Sequence, residues 1–345
     1  MARPVTPNVS IAVRDFLDRY LKRSTSATAH TDYRSTLNRF TKRVGDCHVG
    51  SLTPDHVEDF FYGPGDSLSA TCSASTMSTQ KTRLKPFLVY CHRQGWLRCS
   101  ADAMLAEVRP KRRTNRNRYR MDLPELRRLI DAATDPRDRA LVAFVANTGV
   151  RISEALAMNV EDVNFPRGEL YVTLVKTNTE ETLPMTADLE GELRRWLVTY
   201  EEQAGKLERR YALFPPYHKN RFTSFTVVGP KRLNPEGRIT YPRSIIQKVA
   251  TTAGIELEPG DGWHTVRRSF ARIIYEGART HGYDDALRIT QAALNHAKVT
   301  TTERYLGLDI ERQRYADMMK GKVFLTPDIE GGKIVPLDER RAGRG

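Results

Sequence analysis

Four short stretches hold the residues whose types and spacing could do chemistry. Thr148-Gly149-Val150-Arg151-Ile152-Ser153-Glu154-Ala155-Leu156 sets an arginine just after a glycine turn, at the start of a helix. Trp263-His264-Thr265-Val266-Arg267 spaces a histidine and an arginine one turn apart on one helix face, where both can act on a single phosphate. Leu294-Asn295-His296 supplies a second histidine, and Tyr305 follows nine residues after it in Thr300-Thr301-Thr302-Glu303-Arg304-Tyr305. Each has an ordinary explanation alone: an arginine as surface charge, a histidine as a packed ring, one of fourteen tyrosines as core. Their order along one stretch of chain gives them weight.

The elements that must position them can be read from caps and periodicity. Asp122 and Glu125 form a capping box that opens a second domain. Helices are expected through Ile130 and from Pro136 to Asn147. Glu169 to Val175 and Glu181 to Met185 read as a β-hairpin around the turn Lys176-Thr177-Asn178-Thr179-Glu180. A helix from Ala187 to Ala204 follows, then a loop rich in Pro, Gly and aromatics to Tyr241, then helices to Lys320. Upstream, Ser10 to Arg23 is a first helix. A second carries Ala29, Tyr33, Leu37, Phe40 and Val44 on one face, with His30, Arg34 and Asn38 turned away. Thr53 and Pro54 start a third helix, Gly63 to Ser75 reads as loop, and a fourth helix begins at Ser75. That fourth helix has Leu84, Leu88 and Cys91 on its apolar side and Lys81, Arg83 and Lys85 elsewhere, with a kink or break expected at Pro86.

Charge separates the two parts. The net charge is +13, and residues 1–120 hold 21 Lys and Arg against 10 Asp and Glu, while the rest is nearly balanced. The basic third faces a polyanion or is simply solvated; without an amphipathic apolar stripe beside it, nucleic acid is the better partner than a membrane. His30, Arg34, Lys81, Arg83 and Lys85 are the candidate DNA contacts of the helices. In the stretch 109–120, which reads as a linker, Lys111, Arg112, Arg113, Arg116 and Arg118 can lie along successive phosphates. A nuclear-localisation patch is the competing reading of that run. Mean hydropathy of −0.53 and the lack of a membrane-length apolar run mark a globular, non-membrane protein. The first residues lack the apolar stretch of a signal peptide, so the expected location is cytoplasmic. Cys47, Cys72, Cys91 and Cys99 have no C-x-x-C spacing and read as reduced thiols; the pairs Cys47-His48 and Cys91-His92 match no common zinc finger, and no metal or other cofactor is expected.

The ordered set T-G-x-R-x-S-E-x-L, H-x-x-R, L-x-H and a tyrosine nine residues on resembles the phage integrase family of tyrosine recombinases over residues 148–305. The resemblance implies a site of Arg151, Lys176, His264, Arg267, His296 and Tyr305. Lys176 lies where the family usually has Gly-Lys-Gly. Arg268 stands where a second histidine is common, and Asn295 replaces a glycine. For phosphoryl transfer, Arg151 and Arg267 would carry the phosphate charge in place of a metal. His264 would position or deprotonate the attacking hydroxyl, Lys176 would protonate the 5′ leaving oxygen, and His296 would hydrogen-bond the scissile phosphate. Tyr305 would form a 3′-phosphotyrosyl bond that conserves the diester energy, so no ATP is needed. Glu154 reads as the residue that orients Arg151.

The fold implied is mainly α with a small β-sheet (α+β). Residues 1–108 would form an all-helical core-binding domain, 109–120 a basic linker, 121–320 the catalytic domain and 321–345 a tail exchanged between subunits or packed at home, the whole closing as a C-shaped clamp on double-stranded DNA. The resemblance further implies a homotetramer on two core-type sites, a Holliday-junction intermediate and residence on the nucleoid of a bacterial host. With the first helix near Ser10, no arm-binding domain is expected, and at most a simple directionality factor beside it. Integration or excision of a phage or mobile element is the first role and resolution of replicon dimers the second. A type IB topoisomerase and an inactive DNA-binding regulator are the rivals.

Overall fold

The computed structural model describes residues 6–21, 27–111, 118–174, 179–218, 232–258 and 260–308. The chain divides into two units, residues 1–115 and 116–345. The expected helix at Asp309 to Lys320, the strand at Lys322 to Leu325 and the tail lie outside the described residues. No described helix is long and apolar enough to cross a membrane.

In the first unit the described helices are α1 (Val9–Leu21), α2 (Ala27–Val44), α3 (Pro54–Tyr62), α4 (Leu68–Thr71), α5 (Ala74–Arg93) and α6 (Ala101–Met104). Helical spacing brings Phe16, Leu37, Phe40, Phe60, Phe87 and Leu88 into one core. Phe40 meets Phe60 edge-on at 5.3 Å between ring centroids, and Phe16 meets Phe87 at 5.7 Å. Three expectations change here. Helix α5 runs unbroken through Pro86. Leu84, Phe87 and Leu88 on either side of it are fully buried, and burial of roughly 2 kcal/mol per side chain outweighs the roughly 3 kcal/mol that an interior proline costs. Within the segment read as loop, burial of Leu68 supports the one-turn helix α4, too short for periodicity to reveal. At the start of α3 the Thr53 hydroxyl does not cap the helix; His56 Nδ1 lies 2.9 Å from that hydroxyl and accepts from the Thr53 amide at 3.3 Å.

In the second unit α7 (Leu123–Asp131) opens on the Asp122–Glu125 capping box, with amide-to-carboxylate distances of 2.8 and 3.0 Å. Helix α8 (Pro136–Thr148) is buried on nearly every side, as its run Leu141-Val142-Ala143-Phe144-Val145 requires. After α9 (Ile152–Ala157) comes an antiparallel sheet in the order β1 (Val163–Asn164), β2 (Glu169–Leu174), β3 (Thr179–Pro184). Leu170, Val172 and Leu174 alternate inward along β2. The register pairs Glu169 with Pro184 and Leu174 with Thr179, so β3 begins two residues earlier than expected. β1 went unforeseen, because two residues carry no periodic signal. Helices α10 (Ala187–Ala204), α11 (Arg243–Thr252), α12 (Trp263–Ala278), α13 (Tyr283–Ala293) and α14 (Val299–Leu306) complete the described part.

Two separate apolar cores result among the described residues of this unit. The larger one joins α7 to α11 and β2 with Trp263 and Val266 at the start of α12. The smaller one joins Ala271, Tyr275 and Ala278 of α12 with Ala286, Leu287, Leu294, Leu306 and Leu308, and Phe270 and Tyr305 pack against it. Helix α12 belongs to both.

Candidate active site

Arg267 is the hub. It projects from the second turn of α12 and is buried to 4% exposure. Its Nη1 donates to the Gly149 carbonyl at 2.5 Å and its Nη2 to the Leu294 carbonyl at 2.8 Å. Gly149 precedes Arg151 by two residues and Leu294 precedes His296 by two, so one guanidinium ties three of the four stretches to one place. The remaining N–H groups of its fork can still serve an anion.

Gly149 ends α8 in the left-handed region, at φ 63°. A Cβ there would also lie 2.2 Å from Phe270 Cδ1. Glycine is therefore needed twice, for the turn and for the close approach. The turn delivers Arg151 to the N-cap of α9, where the nearly fully buried Glu154 accepts from the Arg151 amide and from its Nη1, both at 2.8 Å. Glu154 thus fixes both the backbone and the guanidinium of Arg151, the role its spacing suggested.

Asn295 at φ 49° turns the chain between α13 and His296. Asparagine tolerates this left-handed conformation better than most residues, which explains how it replaces glycine there. His296 Nδ1 lies 3.0 Å from the buried Thr302 hydroxyl, and Gln291 Nε2 donates to the His296 carbonyl at 2.8 Å. When Thr302 donates to Nδ1, Nε2 carries the ring proton and is left as a donor. Burial, reinforced by the Arg267 and Arg151 charges, pushes the His296 pKa down to about 4. Its ring meets that of Tyr305 at 77° and 5.4 Å. Thr302 was not singled out in the sequence, although it lies three residues before Tyr305 and hence on the same helix face.

Tyr305 sits in the last turn of α14. Among the described residues its buried hydroxyl has no well-formed hydrogen bond. Burial raises the phenol pKa above its ordinary value, while the Arg267, Arg268 and Arg151 charges pull it back down. The ring of His264 reaches the surface one turn before Arg267. Lost hydration, then the charges of Arg267, Arg268, Arg151 and Arg118, lower its pKa, so it rests neutral and able to accept a proton at neutral pH. Two arginines, two neutral histidines and a protonated tyrosine are thus electrostatically coupled in one region of the second unit.

The profile of the Phage integrase family matches residues 119–312. This chain belongs to the phage integrase family. Tyrosine recombinase XerC of Mycobacterium sp. (strain KMS) is 29% identical over 323 residues, covering 88% of this chain and 96% of that protein. A lambda integrase dimer bound to a COC′ core site superposes with a TM-score of 0.64 at 14% identity, over 87% of this chain and 77% of that one. A lambda integrase tetramer bound to a Holliday junction gives 0.63 at 16% identity, over 88% and 78%. At these identities the structural likeness speaks for the fold. As a phage integrase family member, the chain is a site-specific DNA recombinase of the tyrosine class.

Other candidate residues fare differently. Lys176, Arg112, Arg113 and Arg116 lie outside the described residues. Lys111 and Arg118 are exposed, as is Arg34, and the His30 ring is half-buried. Lys81 donates to the Val108 carbonyl at 2.6 Å, Arg83 pairs with Asp32 at 2.5 Å and Lys85 with Asp102 at 2.6 Å. The basic side of α5 is thus tied into its own unit, and each of these cations must exchange a partner to reach a phosphate. Arg268, where a phage integrase commonly has histidine, is buried and donates to Asp261 at 2.6 Å and to Thr265 at 2.8 Å.

Proposed function

We propose that this protein cuts and rejoins double-stranded DNA through a 3′-phosphotyrosyl bond to Tyr305. The single observation that carries this reading is the Arg267 hub, which ties the segments of Arg151 and His296 to its own helix, with the Tyr305 ring 5.4 Å from that of His296. The scissile phosphate would sit between Arg151 and Arg267, whose charge offsets that gained on the non-bridging oxygens. Arrival of that anion neutralises the arginine field that lowers the His264 pKa, making the ring a better base as the substrate binds. His264 would then take the Tyr305 proton while the phenolate oxygen bonds to phosphorus. The 5′ oxygen leaves with a proton from Lys176, and His296 Nε2 donates to a phosphate oxygen. Attack by a 5′ hydroxyl reverses these steps and frees Tyr305.

The first unit and the basic stretch 109–120 would hold core-type sites through His30, Arg34, Lys81, Arg83, Lys85, Lys111, Arg112, Arg113, Arg116 and Arg118. Four copies would pair two sites and exchange strands through a Holliday junction at the nucleoid. The lambda integrase tetramer solved on such a junction has the same fold and supports this assembly. The setting we propose is integration or excision of a phage or mobile element, with at most a directionality factor in attendance; replicon dimer resolution uses the same chemistry.

A nicked suicide duplex tests the chemistry. The native chain should form a covalent adduct and Tyr305→Phe none; no adduct with the native chain, or an undiminished one with the variant, overturns the reading. Rapid relaxation of a plasmid lacking a cognate site would instead indicate a topoisomerase. Recombination between two unlike sites, against two copies of one site, separates the two settings.

A further inference from the structure

The short stretch Arg118 to Met121, just before α7, is fastened to the helices of the site at two points. The Met121 amide donates to Ser269 Oγ at 2.7 Å, and Ser269 is a fully buried residue two positions past Arg267 on α12. Arg120 Nη2 donates to the carbonyl of Tyr305 itself at 3.1 Å, while its Nη1 donates to the Arg118 carbonyl at 3.0 Å. The Tyr305 carbonyl is among the last four of α14, which have no amide partner within a helix. A cation there satisfies an orphan acceptor at the negative end of the helix. Gly307 makes room for it: a Cβ at this residue would lie 2.5 Å from Arg120 Nη2. Gly307 also closes α14 at φ 75°, so the helix end and the guanidinium fit one another.

We propose that Arg120 is a positioning residue for Tyr305, holding the nucleophile's helix in register with the phosphate site. The proposal rests on the reading of Tyr305 as nucleophile. Helix α14 has eight residues, too few to be stable alone, so packing and end contacts decide where it lies. Since misplacing a reacting group by about 1 Å can cost on the order of 100-fold in rate, loss of one anchor should be visible in cleavage.

The test uses the full chain on the nicked duplex, in single turnover with enzyme in excess. Arg120→Ala should lower the saturating cleavage rate by about tenfold. The half-saturating enzyme concentration, the salt slope of DNA binding and Tm should stay close to native values. Arg120→Lys, whose ammonium can still reach a carbonyl, should recover part of the rate, and amides 300–306 should exchange faster in the alanine variant. A native cleavage rate in Arg120→Ala overturns the proposal. So does a loss confined to half-saturation, or a shallower salt slope, which would make Arg120 a phosphate contact. If the alanine variant does not fold, Arg120→Gln decides in the same way. An adduct with Tyr305→Phe, or none with the native chain, strikes the nucleophile reading instead.

Discussion

The depressed pKa of His296 makes a measurable claim about stability. The ring titrates at about 4 in the folded chain, against about 6.5 when unfolded. Between those values the unfolded chain takes up a proton that the folded chain refuses. Stability is therefore full above about pH 6.5 and declines as pH falls toward 4. The loss attributable to this ring is roughly 2 kcal/mol at pH 5 and about 3 kcal/mol near pH 4, upper values because the ring is only partly buried. His296→Gln removes the titration while keeping a group able to hydrogen-bond Thr302. The assay is urea unfolding at pH 7.5 and pH 5, read from Trp196 and Trp263 in a Trp96→Phe background so that the signal comes from the second unit. The native chain should lose about 2 kcal/mol more than His296→Gln between the two pH values. Because the His264 pKa is lowered too, the variant keeps some slope of the same sign. Equal losses in the two proteins would refute the assignment of a neutral, burial-depressed His296.

Three further outcomes follow from the packing. Gly149→Ala meets both a left-handed backbone and the Phe270 ring, so it should destabilise the second unit by about 3 kcal/mol in urea unfolding and abolish adduct formation. Glu154→Ala leaves the Arg151 amide and guanidinium without their buried partner; a loss of about 2 kcal/mol is expected, with cleavage falling far more than DNA affinity in a filter-binding comparison. Asp261→Asn strands the buried Arg268 charge at a cost of about 3 kcal/mol, and the double variant Asp261→Asn with Arg268→Met should recover most of it on a thermal melt.

The site was legible wherever chemistry and helix geometry coincide. His264 and Arg267 share a face because they are three residues apart, and Asp122 with Glu125 announce the capping box they form. Glu154 could be assigned to Arg151 because an N-cap and its third residue are close in sequence. Features that depend on distant partners were invisible. The Arg267 bonds to Gly149 and Leu294, and the Arg120 bond to Tyr305, span 118, 27 and 185 residues, and no local pattern reports them. The partners of the α5 cations were invisible for the same reason, since Val108, Asp32 and Asp102 lie elsewhere in the chain. The break weighed at Pro86 does not occur, because a local penalty alone leaves out the tertiary burial of Leu84, Phe87 and Leu88.

The division of the second unit into a larger and a smaller core has a consequence for how the molecule yields. The small cluster beneath Tyr305 can come apart at a free energy below that of global unfolding, because Leu141, Phe144 and Trp196 contribute nothing to it. Arg267 and Arg120 bond carbonyls of that cluster's segments, at Leu294 and Tyr305, so an opening there would release the tyrosine and both arginine bonds together.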